Sequence, residues 1–199
     1  MKRKLFYMIL GNLIIGVGIG IGVFVNLGTD PGTTFFLGVS KTFNLGLGNA
    51  TAIANCVLFI PMFILKKDTI NIGTFVNMLG IGYVIEITSS LLSSMIPSIN
   101  LLARFSLLAL AILLLCFGAA LYLNCNIGQA PWDAIATIIT SYKPQWKYSN
   151  VRMIQDCCGL LIGFLLGAEI GIASIIFAFF IGPGISYFGS LIQKHRIIF

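Results

Sequence analysis

Two copies of the same break lie one hundred residues apart in this 199-residue chain. The first copy is the segment 26–31, with the sequence N-L-G-T-D-P, and the second is the segment 126–131, with the sequence N-I-G-Q-A-P. Proline cannot continue a preceding helix but fits the first turn of a new one. Each copy therefore predicts that one helix ends and another begins, and the fold must accommodate this turn at two places.

The spacing of one hundred residues extends beyond the two breaks. Other matching positions are Leu10/Leu110, Leu13/Leu113, Gly18/Gly118, Gly82/Gly182, Ile85/Ile185 and Ser90/Ser190. Apolar pairs are expected by chance in an apolar chain, but the coincidence of Asn, Gly and Pro is not. A fixed period is the sequence signature of a repeat architecture. We predict one transmembrane domain over residues 1–199, made of two tandem repeats, about 1–100 and 101–199.

Composition places the chain in a lipid bilayer. Hydrophobic residues make up 58% of it and charged residues only 9%, whereas soluble domains carry about 25% charged residues. The basic residues cluster at the ends of apolar segments, at 2–4, 66–67, 143–152 and 194–196. This distribution is typical of cytoplasmic loops and argues against nucleic-acid binding. It predicts a multi-pass protein of the bacterial inner membrane with both termini in the cytoplasm.

Eight helical segments are predicted, so the fold class is all-α. The six long ones are Leu5–Val25, Ala50–Leu65, Ile70–Met95, Leu101–Leu123, Val151–Gly167 and Ile170–Ile192. The two short ones, Pro31–Asn44 and Pro131–Tyr142, follow the breaks. A helix of ~14 residues is about 21 Å long, less than the ~30 Å hydrocarbon core of a bilayer.

The short helices decide the topology. If each re-enters the membrane and leaves on the same side, each repeat has three spans and the second repeat is inverted relative to the first. If they span, there are eight spans and the repeats are parallel. Both arrangements put ten basic residues inside and two outside, so charge does not separate them. Helix length favours six spans.

Carboxylates near the breaks are the principal candidates for function. Asp30 and Asp133 fall in the first turns of the two short helices, where an acid can simply cap the helix and stabilise its dipole. Alternatively, these acids and the Asn26 and Asn126 carbonyls form a polar site. A bare helix N-terminus favours an anion, but a carboxylate at each one shifts the preference to a cation, a proton or a zwitterion.

Three further polar positions stand inside apolar segments, where an ionisable residue is costly. Glu86 has no local basic partner and is a candidate cavity residue. Asn77 adds an amide, which interhelical hydrogen bonding also explains. Asp156 follows Arg152 by four residues, the spacing of a structural ion pair. The predicted substrate-binding residues are Asn26, Gly28, Asp30, Pro31, Asn126, Gly128, Pro131, Asp133, Glu86 and Asn77.

Enzyme chemistry is not indicated. The chain contains no H-E-x-x-H, G-x-S-x-G or P-loop motif. Its one histidine, His195, lies in a basic tail, and its five cysteines form no C-x-x-C pair. We therefore expect no catalytic residues, no metal site and no cofactor.

The chain resembles the YczE/YyaS/YitT family of bacterial membrane proteins. The resemblance rests on the L-G-x-D-P turn at 27–31 and its echo at 127–133, on Asn150-Val151-Arg152 with Asp156, and on Ile181-Gly182-Pro183. One departure is Gly171-Ile172-Ala173-Ser174, where the family pattern is Gly-Ile-Gly-Thr. The resemblance implies a membrane topology and no catalytic residues.

These observations predict a small inner-membrane transporter or channel that binds a small cationic or zwitterionic solute between the two broken helices. One alternative is a substrate-binding membrane subunit of a larger transporter, similar to the energy-coupling-factor systems. It would need an energising partner, and the glycines of the first helix would be its docking face. Another is a regulatory membrane protein that transports nothing. The expected partners are the lipid bilayer, an ion or small-molecule substrate, and either a second copy or an energising partner.

Overall fold

A computed structural model describes residues 2–195, which form eight α-helices and no strand in that range. The helices are α1 Lys2–Val25, α2 Pro31–Phe43, α3 Leu47–Leu65, α4 Ile72–Met95, α5 Leu101–Asn124, α6 Pro131–Tyr142, α7 Tyr148–Leu165 and α8 Ile172–Lys194. A single 3-10 turn, Lys67–Thr69, connects α3 to α4. The predicted all-α class and the two short helices after the breaks are therefore present.

Five of these helices, α1, α3, α4, α5 and α8, are long and apolar enough to cross a membrane. Large apolar side chains on their outer faces are exposed, such as Ile64 on α3 and Phe180 on α8. In water such surfaces would aggregate, whereas in a bilayer they contact lipid. Helix α7 has 18 residues but carries Arg152, Gln155 and Asp156, so composition alone does not identify it as a span.

Glycines bring α1 and α5 into close antiparallel contact. A Cβ atom on Gly118 would lie 2.8 Å from the Gly11 carbonyl oxygen and 2.9 Å from the Ile15 nitrogen. At the other end of the crossing, a Cβ atom on Gly18 would lie 3.1 Å from the Ala111 oxygen. Small residues at these positions allow two helix backbones to approach, as in other membrane bundles.

The remaining glycines of α1 are covered as well. A Cβ atom on Gly16 would meet Val84 at 2.6 Å, and one on Gly20 would meet Thr88 at 2.6 Å. Both neighbours belong to α4, which runs parallel to α1. The glycine face of α1 is therefore buried inside the protein and is not exposed as the suggested docking face for an energising partner.

Each break is hydrogen-bonded to the first turn of a helix far away in the sequence. The Ala173 N–H of α8 donates to the Leu27 carbonyl at 2.9 Å, and the Gly73 N–H of α4 donates to the Ile127 carbonyl at 2.9 Å. The Thr29 N–H also donates to Ser174 Oγ at 3.1 Å. Ala173 and Ser174 are the two positions that depart from the family pattern. Ser174 still supplies a hydroxyl group to the Thr29 N–H, and Ala173 still donates its own N–H to Leu27. Ala173 keeps this backbone bond, because Gly171 makes the closest approach to Leu27 instead.

The backbone at both breaks takes the left-handed conformation. The φ angles are 54° and 52° at Asn26 and Asn126, and 102° and 110° at Gly28 and Gly128. Asn tolerates this region better than other non-glycine residues, and Gly enters it without a steric cost. The conformation explains why the breaks require these residue types.

For each short helix, the break before it and its C-terminal turn contact the same connection between two other helices, α7–α8 for α2 and α3–α4 for α6. The first break contacts Gly171 and Ser174, and the C-terminal turn of α2 contacts the same region through a Lys41–Glu169 ion pair at 3.1 Å. For α6, the Gln129 N–H donates to the Thr69 carbonyl at 3.0 Å. The Tyr142 hydroxyl at the other end of α6 lies 3.5 Å from the Leu65 carbonyl.

Helix ends differ from the predicted bounds by a few residues. Helix α3 begins at Leu47 rather than Ala50, because the Glu86 carboxylate accepts the Gly48 N–H at 2.8 Å and so caps the added turn. Helix α4 begins at Ile72 rather than Ile70, because the Asn71 side chain accepts the Ile72 N–H at 2.7 Å. The predicted basic tail reaches Arg196, which lies outside the described residues.

Candidate functional site

The first turns of α2 and α6 meet at a small central cavity. Its volume is about 70 Å³, and residues of α1, α3, α4, α5, α7 and α8 complete its wall. Space of this size holds a few water molecules or a small ion. Fourteen of the eighteen lining residues form seven pairs one hundred residues apart: Ile15/Leu115, Ile19/Ala119, Asp30/Ala130, Gly32/Trp132, Thr33/Asp133, Ile81/Ile181 and Ile85/Ile185.

A buried charge cluster forms one side of the cavity. The Arg152 guanidinium donates through Nη1 to Asp133 Oδ1 at 2.5 Å, and through Nε to Asp156 Oδ1 at 3.1 Å. The side chain of Arg152 is only 7% exposed and that of Asp156 only 1%. The Tyr122 hydroxyl donates to the second oxygen of Asp133. Such a pair must be well hydrogen-bonded to offset the desolvation of its charges.

Asp30 is the second carboxylate that lines the cavity, after Asp133, and is bonded differently. Its Oδ2 atom accepts the Thr33 N–H at 3.1 Å, so the residue does cap α2 as the sequence suggested. Its Oδ1 atom is buried and has no hydrogen-bond partner among the described residues. Buried polar atoms are nearly always satisfied, so an unsatisfied carboxylate oxygen at a cavity wall marks a place where a ligand or water would bind.

Two other cavity residues have unpaired polar atoms. Within residues 2–195 neither the buried Asn55 Oδ1 nor the buried Trp132 Nε1 finds a hydrogen-bond partner. Asn55 is 1% exposed and lies on α3. The cavity therefore presents two free acceptor oxygens, from Asp30 and Asn55, and one free N–H donor.

Asn77 also lines the cavity, but its amide is already engaged. Its Nδ2 atom donates to Asn12 Oδ1, and the Asn12 amide donates in turn to the Met8 carbonyl at 2.9 Å. This chain joins α4 to α1 inside the apolar core. The bond is of the interhelical kind that the sequence offered as the alternative reading of Asn77.

The turn residues of the breaks lie away from the cavity. Asn26 and Asn126 are exposed, and Asn26 and Gly28 line a separate surface pocket beside Lys41 and Glu169. Gly128 packs against the first turn of α4. The left-handed backbone accounts for these four residues without a ligand, and we leave them out of the proposed site.

Three other residues that were predicted to bind substrate contribute to helix structure instead. Pro31 and Pro131 are buried at the first positions of α2 and α6, where they start the helices without lining the cavity. Glu86 accepts the Gly48 N–H at the start of α3, as described above, and does not line the cavity. Of the ten predicted binding residues, the structure places Asp30, Asp133 and Asn77 together at the cavity.

Sequence reasoning missed several features of this site. Arg152 was assigned to Asp156 alone, but it also binds Asp133, nineteen residues earlier. Asn55, Asn12 and Trp132 were not selected as site residues. A usable signal was present for Trp132: it replaces the glycine found at the equivalent position, 32, of the first break.

Comparison with known proteins agrees with the resemblance in part. The family profile described as "Family of unknown function (DUF6198)" matches residues 1–190. The chain belongs to the DUF6198 family. A relative from Haemophilus influenzae, described as "Uncharacterized protein", is 30% identical over 181 residues, covering 91% of this chain and 81% of the relative.

A second relative supports one part of the resemblance drawn from sequence. "Uncharacterized protein YyaS" of Bacillus subtilis is 24% identical over 194 residues, covering 96% of this chain and 95% of the relative. The YczE and YitT parts of that resemblance stay predictions. No solved structure gives a significant match to this DUF6198 fold.

Proposed function

We propose that this protein is a transporter or channel of the bacterial inner membrane, with no enzymatic activity, that binds a small cationic or zwitterionic solute in the central cavity. The observation that carries the proposal is that Asp30 lines the cavity while its buried Oδ1 atom has no hydrogen-bond partner among the described residues. Ionisable residues inside membrane proteins commonly mark substrate or ion pathways. Asn55 Oδ1 supplies a second acceptor at the same cavity.

Charge at the site favours a cation over an anion. The site holds one guanidinium, Arg152, and three carboxylates: Asp133 and Asp156, which pair with Arg152, and Asp30, which lines the same cavity. Arg152 is engaged by two of them, which leaves Asp30 as the carboxylate without a cationic contact. A cationic group at Asp30 would complete the pairing that buried charges require.

We further propose that the chain consists of two inverted repeats with re-entrant short helices. The seven cavity pairs support this arrangement, as do the matching bonds Ala173–Leu27 and Gly73–Ile127. The antiparallel crossing of α1 and α5 is what inversion requires. Half-helices that meet near the bilayer midplane form the binding sites of known inverted-repeat transporters. On this proposal α7 is the sixth span, with its polar residues turned towards the cavity.

The same arrangement predicts which end of the helix bundle faces the cytoplasm. Lys41 and Arg104 lie at the end of the bundle where α1 finishes, since Arg104 Nη1 donates to the Val25 carbonyl at 3.2 Å. Lys66 and Lys67 follow α3 at the opposite end, where α6 also finishes. The larger basic group marks the cytoplasmic side. The two chain ends are then cytoplasmic, and Lys41 and Arg104 face outwards.

The orientation can be tested by cysteine accessibility. In a background with the five native cysteines replaced by serine or alanine, single cysteines at Lys41, Lys66 and Arg104 are labelled in intact cells with an impermeant maleimide. We expect labelling at Lys41 and Arg104, and labelling at Lys66 only after the cells are permeabilised. Lys66 labelled in intact cells would contradict both the six-span topology and the inverted repeat.

The substrate site can be tested by replacing Asp30 with asparagine, which keeps an acceptor for the Thr33 N–H. Proteoliposomes with a negative-inside potential are assayed for uptake of methylammonium and of sodium. We expect uptake of one of them by the wild type, and a loss of about tenfold or more in Asp30→Asn, because a charge-assisted contact is removed. Glu169→Gln, which removes an exposed carboxylate, is the matched control. Equal uptake by Asp30→Asn and wild type would rule out Asp30 as a substrate ligand.

A further inference from the structure

A second cavity lies next to the central one, on the outer side of the bundle that contacts lipid. It is a groove of about 320 Å³ between α2, α3, α6 and α7. Its walls are apolar and include Phe35, Leu58, Ile135, Ile139, Ile154 and Ile162. Ile154 is 58% exposed and Ile162 is 45% exposed, so the groove opens at the outer surface of the bundle.

One side chain separates this groove from the central cavity. Trp132 lines both of them. The pyrrole edge of its indole faces Gly32, where an added Cβ would lie 3.2 Å from Nε1. The benzene edge faces Gly159, where an added Cβ would lie 2.6 Å from Cη2. Gly32 lines the cavity and Gly159 lines the groove, so the indole extends from one space to the other.

The polar and apolar requirements of a ligand are met on opposite sides of Trp132. The cavity side holds the unpaired Asp30 oxygen but has only about 70 Å³, which excludes a large apolar group. The groove side has the larger volume and an apolar lining. Trp132 itself stacks on Phe35, with ring centroids 5.6 Å apart, so aromatic faces lie along the boundary. Such faces attract cations.

We propose that the substrate is an amphiphilic monocation that enters sideways from the bilayer past Trp132. Its cationic headgroup pairs with Asp30 in the cavity, and its hydrocarbon part stays in the groove. The proposal rests on the proposed function, because it assigns a substrate class to the same site. Rotation of the indole between the two glycines joins the cavity to the groove and lets the headgroup pass.

Binding of a matched set of ligands tests this proposal. Trp146 also lines the groove, and Trp146→Phe keeps an aromatic ring there. This variant leaves Trp132 as the only tryptophan, so its fluorescence in protein reconstituted into lipid nanodiscs reports binding. The ligands are decyltrimethylammonium, tetramethylammonium (the same headgroup without the chain) and decanol (the chain without the charge). We expect saturable binding of decyltrimethylammonium, at least about tenfold tighter than that of tetramethylammonium, and no saturable response to decanol.

Two further variants, each in the Trp146→Phe background, locate the two parts of the ligand. Asp30→Asn should weaken decyltrimethylammonium binding about tenfold or more. Ile154→Phe, which fills the groove, should abolish the advantage of the chain but leave tetramethylammonium binding unchanged. Ile175→Phe is its control, because Ile175 is similarly exposed, at 54%, on α8 and outside the groove.

The outcomes separate this proposal from the proposed function. Equal, Asp30-dependent binding of the two ammonium ions would overturn the lateral route but leave a cation site in the cavity. Saturable decanol binding would also overturn it, since the groove would then hold an uncharged chain such as a lipid tail. If no cation binds in a manner that depends on Asp30, both this proposal and the proposed function are wrong.

Discussion

Replacement of Arg152 by glutamine is expected to destabilise the folded protein by about 3–5 kcal/mol, because it leaves buried carboxylates without their cation. Asp133 and Asp156 both bind this guanidinium, and Asp156 is almost completely buried. A carboxylate that loses its partner in a low-dielectric interior must either remain charged at a high cost or take up a proton. The measurement is unfolding by SDS in mixed micelles, followed by circular dichroism.

Two controls show whether charge is the cause. The variant Arg152→Gln with Asp133→Asn and Asp156→Asn has no unpaired charge at these positions, so it should recover most of the lost stability. Lys41→Gln breaks the exposed Lys41–Glu169 pair, whose side chains are 48% and 82% exposed. It should cost less than about 1 kcal/mol. If the triple variant is no more stable than Arg152→Gln alone, the loss comes from packing around the arginine rather than from charge.

Replacement of Gly171 by alanine should cause the second large loss, about 3 kcal/mol, the upper end of the range for overpacking. The added Cβ would lie 2.0 Å from the Leu27 carbonyl oxygen and 2.4 Å from its carbon. These are backbone atoms, so no side-chain rotation can relieve the contact. The φ angle of Gly171 is −127°, which alanine adopts freely, so the predicted loss is steric.

Gly80→Ala is the matched control for this prediction, measured by the same SDS titration. Gly80 lies in α4, and a Cβ atom there would have no neighbour within 4 Å. Alanine favours helix over glycine, so this variant should be as stable as the wild type or slightly more so. A small loss in Gly171→Ala, similar to the change in Gly80→Ala, would show that the first break moves easily away from α8.

The helices were predictable from sequence because their causes are local. Each apolar run is long, and each run ends at glycine, proline or charge within a few residues of the observed bound. The start of α3 was placed wrongly because a distant residue extends that helix. Glu86 adds a turn to α3 from 38 residues away. No property of the sequence just before Ala50 predicts that cap.

The candidate site was predictable only in part, for the same reason. Asp30 and Asp133 could be found because acids near a Gly-Pro break in an apolar chain are rare. The partner of Asp133 could not, since the contact with Arg152 depends on how α6 packs on α7. Helical spacing predicted one partner of Arg152, Asp156, but not the other, Asp133. The breaks were predicted to supply ligands through Asn26 and Asn126, but turn conformation alone accounts for those residue types.

The hydrogen bonds that hold the two breaks become possible at different times during synthesis of the chain. The second break attaches to the start of α4, which precedes it in the chain. The first break attaches to Ala173 and Ser174, almost 150 residues later, so its bonds form only after the last helix has been synthesised. Until then the first break lacks its hydrogen bonds to α8, and the first turn of α2 is held by its packing on Trp132 and α7. Insertion into the membrane can therefore proceed helix by helix, while the cavity is completed in a single late step, when α8 arrives.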